Sequence, residues 1–185
     1  MKRIVLIRHC HATGQHKDSP LSKLGNNQAY HLAIFLQQLS FPIDRILSSP
    51  YLRAIETIRP FAQDHNIKIE TDERLQERLL SEEPIDDWLE ILEASFDDFD
   101  FKLPGGESSQ DAFNRAEEIV SEIFEEPNHE NIALVTHGNL LTLLLRYFQI
   151  DFGFKQWTRL TNPDVFIVQK IGGEYVIEHK WQETN

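Results

Sequence analysis

The stretch Ile4-Val5-Leu6-Ile7-Arg8-His9-Cys10-His11-Ala12-Thr13-Gly14 decides how the rest of the chain is read. An unbroken apolar run, mostly β-branched, leads straight into an Arg-His pair and then into a turn. Such a run without polar alternation suits a strand buried on both faces, at the centre of a parallel sheet. Ligands of open α/β sheets bind beyond the carboxyl ends of such strands, so Arg8 and His9 stand where chemistry is expected. Taken alone, the same pair also fits a surface arginine beside a core histidine.

Further along, Ile132-Ala133-Leu134-Val135-Thr136-His137-Gly138 repeats the theme, a buried strand that delivers a histidine into a turn, and an almost wholly apolar helix is expected over Leu140 to Phe148. Between the two lie strand and helix patterns in alternation. Pro20 to Gly25 opens a helix with Ala29, Leu32, Ala33, Leu36 and Leu39 at helical spacing. Ile43 to Leu47 reads as a strand. Ser48-Ser49-Pro50 reads as a cap followed by proline at the first helical position, with the helix running through Leu52, Ile55, Ile58 and Ala62. Ile67 to Glu70 is a weak edge strand and Asp72 to Leu79 a loop. Ser81 to Phe101 is acidic and aromatic together, a short helix plus loop. Ser108 or Ser109 caps a helix carrying Ala112, Phe113, Ala116, Ile119, Val120 and Ile123. Gly172-Gly173 joins the last two strands, Val165 to Lys170 and Glu174 to Ile177, as a hairpin. The expectation is an α/β three-layer sandwich with a mainly parallel central sheet and an antiparallel C-terminal hairpin. It is expected to be one domain over 1–185, with 81–103 as a small lid insertion.

Arg8, His9, Arg53, Glu77 and His137 all fall just after strands. Two guanidinium groups, two imidazoles and a carboxylate along one sheet edge form a site for a tetrahedral dianion, because arginine offers paired planar donors that match phosphate oxygens. The helices after Ser49 and His137 would turn their positive ends the same way.

These residues carry a resemblance to the histidine phosphatase superfamily, the phosphoglycerate-mutase-like proteins. Arg8-His9-Cys10 matches the Arg-His-Gly signature, Ser48-Ser49-Pro50-Tyr51-Leu52-Arg53-Ala54 the Ser-Ser-Pro-x-x-Arg-Ala motif, and Leu75-Gln76-Glu77 the acid segment. Pro104-Gly105-Gly106-Glu107-Ser108 matches the Gly-Glu-Ser turn and Val135-Thr136-His137-Gly138 the second-histidine motif. The resemblance implies a phosphoglycerate-mutase-like fold and hydrolysis of small metabolite phosphates through a phosphohistidine. In it His9 is the nucleophile, Arg8, Arg53 and His137 hold the phosphoryl group, Glu77 is the proton donor, and no metal or cofactor is needed. Gln15 stands where the family commonly has an asparagine that touches the phosphate. Cys10 replaces the signature glycine, and His11-Ala12-Thr13 departs from the usual Glu-Thr or Glu-Ser. Phosphoryl transfer needs mainly positioning and charge neutralisation, which two arginines and a cationic His137 could supply.

Rival readings remain. His9-Cys10 resembles the start of the cysteine-dependent phosphatases' loop, but His16 stands where that loop requires arginine. His9, His11 and His16 could hold zinc, and a non-catalytic phosphate-binding module would lose the nucleophile or the acid, both of which are present. A cofactor-dependent phosphoglycerate mutase is the alternative within the family, yet family mutases carry a longer, basic segment after the acid. Here Ser81 to Leu103 has Lys102 as its one cation, which suggests a substrate with a neutral leaving group.

The chain has 185 residues, 41% hydrophobic and 26% charged, and a formal net charge of -12. That is the soluble globular range, and the acidity argues against a nucleic-acid partner, which wants basic stripes. Met1-Lys2-Arg3 resembles the start of a signal peptide, but the apolar run that follows is too short for export, and no stretch reaches membrane-span length. One cysteine cannot form an internal disulfide, so the expected location is cytoplasmic and the expected partner a small-molecule phosphate monoester.

Overall fold

The computed structural model describes residues 2–182; Met1 of the charged N-terminal triplet and the last three residues of the expected domain span, 183–185, lie outside it. Strands β1 (Arg3–Arg8), β2 (Arg45–Ser48), β3 (Ile69–Thr71), β4 (Asn131–Thr136), β5 (Asp164–Ile171) and β6 (Glu174–His179) make one sheet in the order β3-β2-β4-β1-β5-β6. β1 lies inside it, parallel to β4 and antiparallel to β5. β3, β2, β4 and β1 are parallel, and β5 and β6 form the antiparallel hairpin. The turn between them is built by Gly172 and Gly173 at φ of 60° and 92°, the left-handed region that glycine enters without steric cost.

The first strand is apolar throughout because both of its faces are covered. Ile4 and Leu6 point into one core, shared with α3 (Trp88–Asp97), α4 (Ser109–Glu125) and α5 (Gly138–Phe148). Val5 and Ile7 point into the other, shared with α1 (Lys23–Gln37) and α2 (Leu52–His65). Helices on both sides of a mixed sheet confirm the expected layering. Ser22 caps α1 through the Gly25 N–H, and Ser108 caps α4 in a reciprocal box with Asp111, the arrangement that satisfies two orphan donors at once. A one-turn helix, α6 (Phe154–Trp157), has no counterpart in the sequence reading.

Element limits moved by one to three residues at several places, and one shift has chemical meaning. α2 does not start on Ser49 and Pro50: it starts at Leu52, with Tyr51 as an N-cap that makes no side-chain cap bond. Ser49 is still bound to the sheet, its N–H donating to the Val135 carbonyl at 2.9 Å. Its hydroxyl serves His137 instead. Among the described residues no helix is long and apolar enough to cross a membrane.

Candidate active site

β1 and β4 are neighbours in register, Arg8 opposite Thr136, so the residues just beyond each, His9 and His137, emerge side by side. Their ring centroids are 5.1 Å apart, edge to face. His9 is 8% exposed and His137 fully buried.

The hydrogen bonds of His9 fix its tautomer. Nδ1 lies 2.6 Å from the Cys10 carbonyl, which can only accept, so Nδ1 carries the proton. Nε2 then holds the lone pair, and it accepts from Arg53 Nε at 3.3 Å. Burial, joined by the charges of Arg53 and Arg8, lowers the His9 pKa to about 3, with the Cys10 carbonyl pulling the other way. The imidazole is therefore neutral with its nucleophilic nitrogen facing a guanidinium. Arg53, from the first turn of α2, is 1% exposed. Its Nη1 donates to the carbonyls of Gln15 and His16 at 3.1 and 3.0 Å, and the Tyr51 ring lies 5.0 Å from its charge centre.

His137 Nε2 lies 2.8 Å from Ser49 Oγ, which already accepts the Tyr51 N–H at 3.2 Å. In the tautomer whose Nε2 takes the hydroxyl proton the hydrogen sits on Nδ1, and that atom is buried without a partner. The sequence reading expected a cationic His137. Burial first, then the neighbouring His9 imidazole and the charges of the arginines, hold its pKa well below the ordinary value, so it is neutral until an anion arrives. Arg8 Nε is a second buried donor without a partner. Arg8 is anchored through Nη1 to the carbonyls of Leu160 and Thr161 at 3.1 and 3.3 Å. It lies so close over Gly138 that an added Cβ there would be 3.0 Å from Nη2. Buried polar groups are normally satisfied; two unpartnered buried nitrogens, on residues at adjacent strand ends that flank His9, are groups that an oxyanion would satisfy.

Glu77 follows the 3-10 turn Glu73–Leu75, which is docked on β4 by Thr136 Oγ1 donating to the Leu75 carbonyl at 2.8 Å. Its Oε1 accepts the N–H groups of Arg78 and Leu140 at 2.9 and 3.0 Å, and Oε2 that of Asn139 at 3.1 Å. The N-terminus of α5 was expected to face the phosphate; the N–H groups of its second and third residues, Asn139 and Leu140, go to Glu77. Each carboxylate oxygen has two lone pairs, so Oε2 keeps one open for a proton. Gln15 is exposed, and its main-chain carbonyl accepts from Arg53.

Two residues that the sequence reading passed over hold this loop. Arg115 forks onto Glu107 at 2.8 and 2.9 Å and donates Nη1 to the carbonyls of Arg74 and Gln76 at 2.6 and 3.0 Å. Arg78, buried, donates to the Glu107 carbonyl and to the hydroxyls of Ser95 and Ser109, and burial lowers its pKa to about 10. Cys10 is buried in the core on the α1–α2 side, and burial pushes its thiol up to about 12; a thiol so placed is not a nucleophile. Cys10 is also not among the positive-φ residues, so the β-carbon there meets no backbone strain. Among the described residues no three His, Cys, Asp or Glu side chains cluster to hold a metal.

Comparison with known proteins agrees with this geometry. The chain is 27% identical over 137 residues to the 6-phosphofructo-2-kinase/fructose-2,6-bisphosphatase of Caenorhabditis elegans, covering 71% of this chain but 29% of that protein. The chain thus spans under a third of that relative. It is 26% identical over 158 residues to the adenosylcobalamin/alpha-ribazole phosphatase of Escherichia coli, covering 77% of each. Among solved structures, YhfR of Bacillus stearothermophilus superposes with a TM-score of 0.78 at 25% identity, covering 97% of this chain and 96% of that one. The family model for the histidine phosphatase superfamily, branch 1, matches residues 4–182. With that match over nearly its whole length, the chain belongs to the histidine phosphatase superfamily.

Proposed function

We propose that the protein is a phosphomonoesterase that hydrolyses small metabolite phosphates through a phosphohistidine on His9. The observation that carries this reading is the fixed lone pair on His9 Nε2, beside Arg53 and the orphan donors Arg8 Nε and His137 Nδ1. Nε2 attacks phosphorus, the ester P–O bond breaks, and the departing oxygen takes a proton from Glu77 Oε2. Water then gives a proton back to Glu77 and its oxygen to phosphorus; the P–N bond breaks, releasing phosphate and neutral His9. Splitting hydrolysis this way lowers each barrier, and donors already aimed at the equatorial oxygens cost no reorganisation during transfer. The bound dianion draws a proton toward His137, since an opposite charge nearby favours the cation. None of these steps routes through a metal.

Residues 81–103 act as a lid in this proposal. Trp88 of α3 meets Trp157 of α6 at 6.1 Å, and α6 leads into the Leu160 and Thr161 carbonyls that hold Arg8. The segment therefore runs from the acid loop toward the Arg8 anchor. Its one cation, Lys102, is paired with Asp111 at 3.4 Å, which leaves acidic and aromatic groups to face a substrate. That favours a neutral leaving group, such as a sugar or nucleoside, over the phosphoglycerate of a mutase. A single buried thiol suits a cytoplasmic location.

A screen of metabolite phosphates with purified protein tests the proposal. Phosphate release from monoesters with neutral leaving groups is expected, unchanged by added 2,3-bisphosphoglycerate. Isomerisation of phosphoglycerate that depends on that compound, or no release from any monoester, would contradict it.

A further inference from the structure

One short segment grips both Arg8 and His9 from the neighbouring strand. Leu160 and Thr161 offer the carbonyls that hold Arg8 Nη1, and Asn162 Nδ2 donates to the His9 carbonyl at 2.7 Å. Asp164 closes the segment: its Oδ2 accepts the Thr161 N–H at 3.1 Å and its Oδ1 the Val165 N–H at 2.9 Å. Asp164 is fully buried and sits opposite Arg8 in the β1–β5 ladder. A buried carboxylate must be paired, and the pairing comes from the far edge of the sheet. His179, on β6, donates Nε2 to Asp164 Oδ1 at 2.6 Å, with its ring stacked on Phe166 at 4.5 Å.

We infer that His179 is a positioning residue for the phosphate cradle: by holding Asp164 it keeps the turn 160–162 in place and leaves the free face of Arg8 turned toward the phosphate. The inference rests on the phosphatase reading of the site. A guanidinium is a rigid planar fork, so anchoring Nη1 sets the direction of Nε and Nη2. Asp164 acts on Arg8 across the ladder as a countercharge. Without the His179 donor it becomes a buried carboxylate held by main-chain N–H groups alone, with Arg8, opposite it in the ladder, as the cation that compensates it. The fork then turns from phosphate toward Asp164. His179 itself appears in no hydrogen bond or ring contact with a residue of the proposed cradle, so its effect on phosphate passes through Asp164.

The test is equilibrium binding of inorganic phosphate and of orthovanadate by calorimetry, which needs no turnover. His179→Phe keeps the stack on Phe166 and removes the donor; His179→Gln keeps an Nε2 donor and removes the ring. Losing a charge-assisted hydrogen bond at a positioned group should weaken anion binding about three- to tenfold in His179→Phe, while His179→Gln stays near wild type. In an Arg8→Lys background the effect of His179→Phe should vanish, because residues acting through one group are not additive. Unchanged affinity in His179→Phe, or the same loss in the Arg8→Lys background, would overturn the inference and leave the phosphatase reading standing. Wild-type protein that binds neither anion would overturn both.

Discussion

Around His9 the side chains are held by main-chain carbonyls, whereas the loop that carries Glu77 is held by arginine side chains that reach α3 and α4. The His9 Nδ1 proton is taken by the next carbonyl in sequence, and the Arg53 Nη1 group by two carbonyls of the loop that follows β1. The acid loop instead hangs on Arg115 and Arg78, which tie Glu107, α3 and α4 to residues 74–79. The difference suits the proposed division of labour. A nucleophile and its clamp must be fixed to a fraction of an ångström, and two adjacent strands do that. A proton donor must accommodate leaving groups of different shape, and a tethered loop allows adjustment.

The comparison breaks most visibly at the cradle. Arg53→Ala removes the donor to His9 Nε2 and a buried positive charge beside the phosphoryl group, so turnover should fall on the order of 10²–10³-fold or more for every substrate, as steady-state assays on two unlike monoesters would register. Glu77→Gln is expected to act selectively. General acid catalysis contributes about 10²–10⁴-fold, so a sugar phosphate should slow by that order. p-Nitrophenyl phosphate, whose leaving group departs unprotonated, should slow far less. Equal slowing of the two would show that Glu77 serves structure or water rather than the leaving oxygen.

Arg115→Met probes the tether without touching the cradle. The acid loop should drift by less than an ångström, lowering turnover of alkyl phosphates on the order of 10-fold, short of the 10²-fold that a 1 Å misplacement can cost. Phosphate affinity, read by calorimetry, should be nearly unchanged; a matching loss of affinity would mean that the two halves are one rigid unit.

The smallest effect concerns stability. His9 is neutral in the fold down to about pH 3, while the unfolded imidazole binds a proton near 6.5. The same direction holds for His137. Between pH 6.5 and 5, above the carboxylate range, the unfolded chain therefore binds more protons, and stability should fall on acidification by up to about 1.4 kcal/mol per pH unit for each group. Phosphate should flatten the decline by favouring protonated His137. Melting temperatures measured with and without phosphate would refute this if they fell in parallel.

How much was legible follows the same division. The cradle is written in local patterns: an apolar run and its Arg-His ending, repeated before His137, each a few residues long. The interior place of β1 and β4 in the sheet follows from them, because only a strand covered on both faces can be apolar throughout. The start of α2 was misplaced since Ser49-Pro50 carries a real helix-start signal, which the bond to Val135 and the service to His137 override. Arg78, Arg115 and Asp164 were not legible. Their partners lie 8 to 41 residues away for the arginines, or on an adjacent strand for Asp164, and nothing near them in sequence marks them as anchors of the site. The neutral state of His137 was equally hidden, because it depends on burial and on charges that only the folded site brings together.

The central claim is a covalent intermediate on His9, and the most direct measurement is rapid mixing with radiolabelled substrate, quenched in base within the first turnover and mapped by peptide analysis. The account predicts an acid-labile, base-stable phosphate on His9 that forms in Cys10→Ser and is absent in His9→Ala. Label on any other residue, or label retained in His9→Ala, would contradict it.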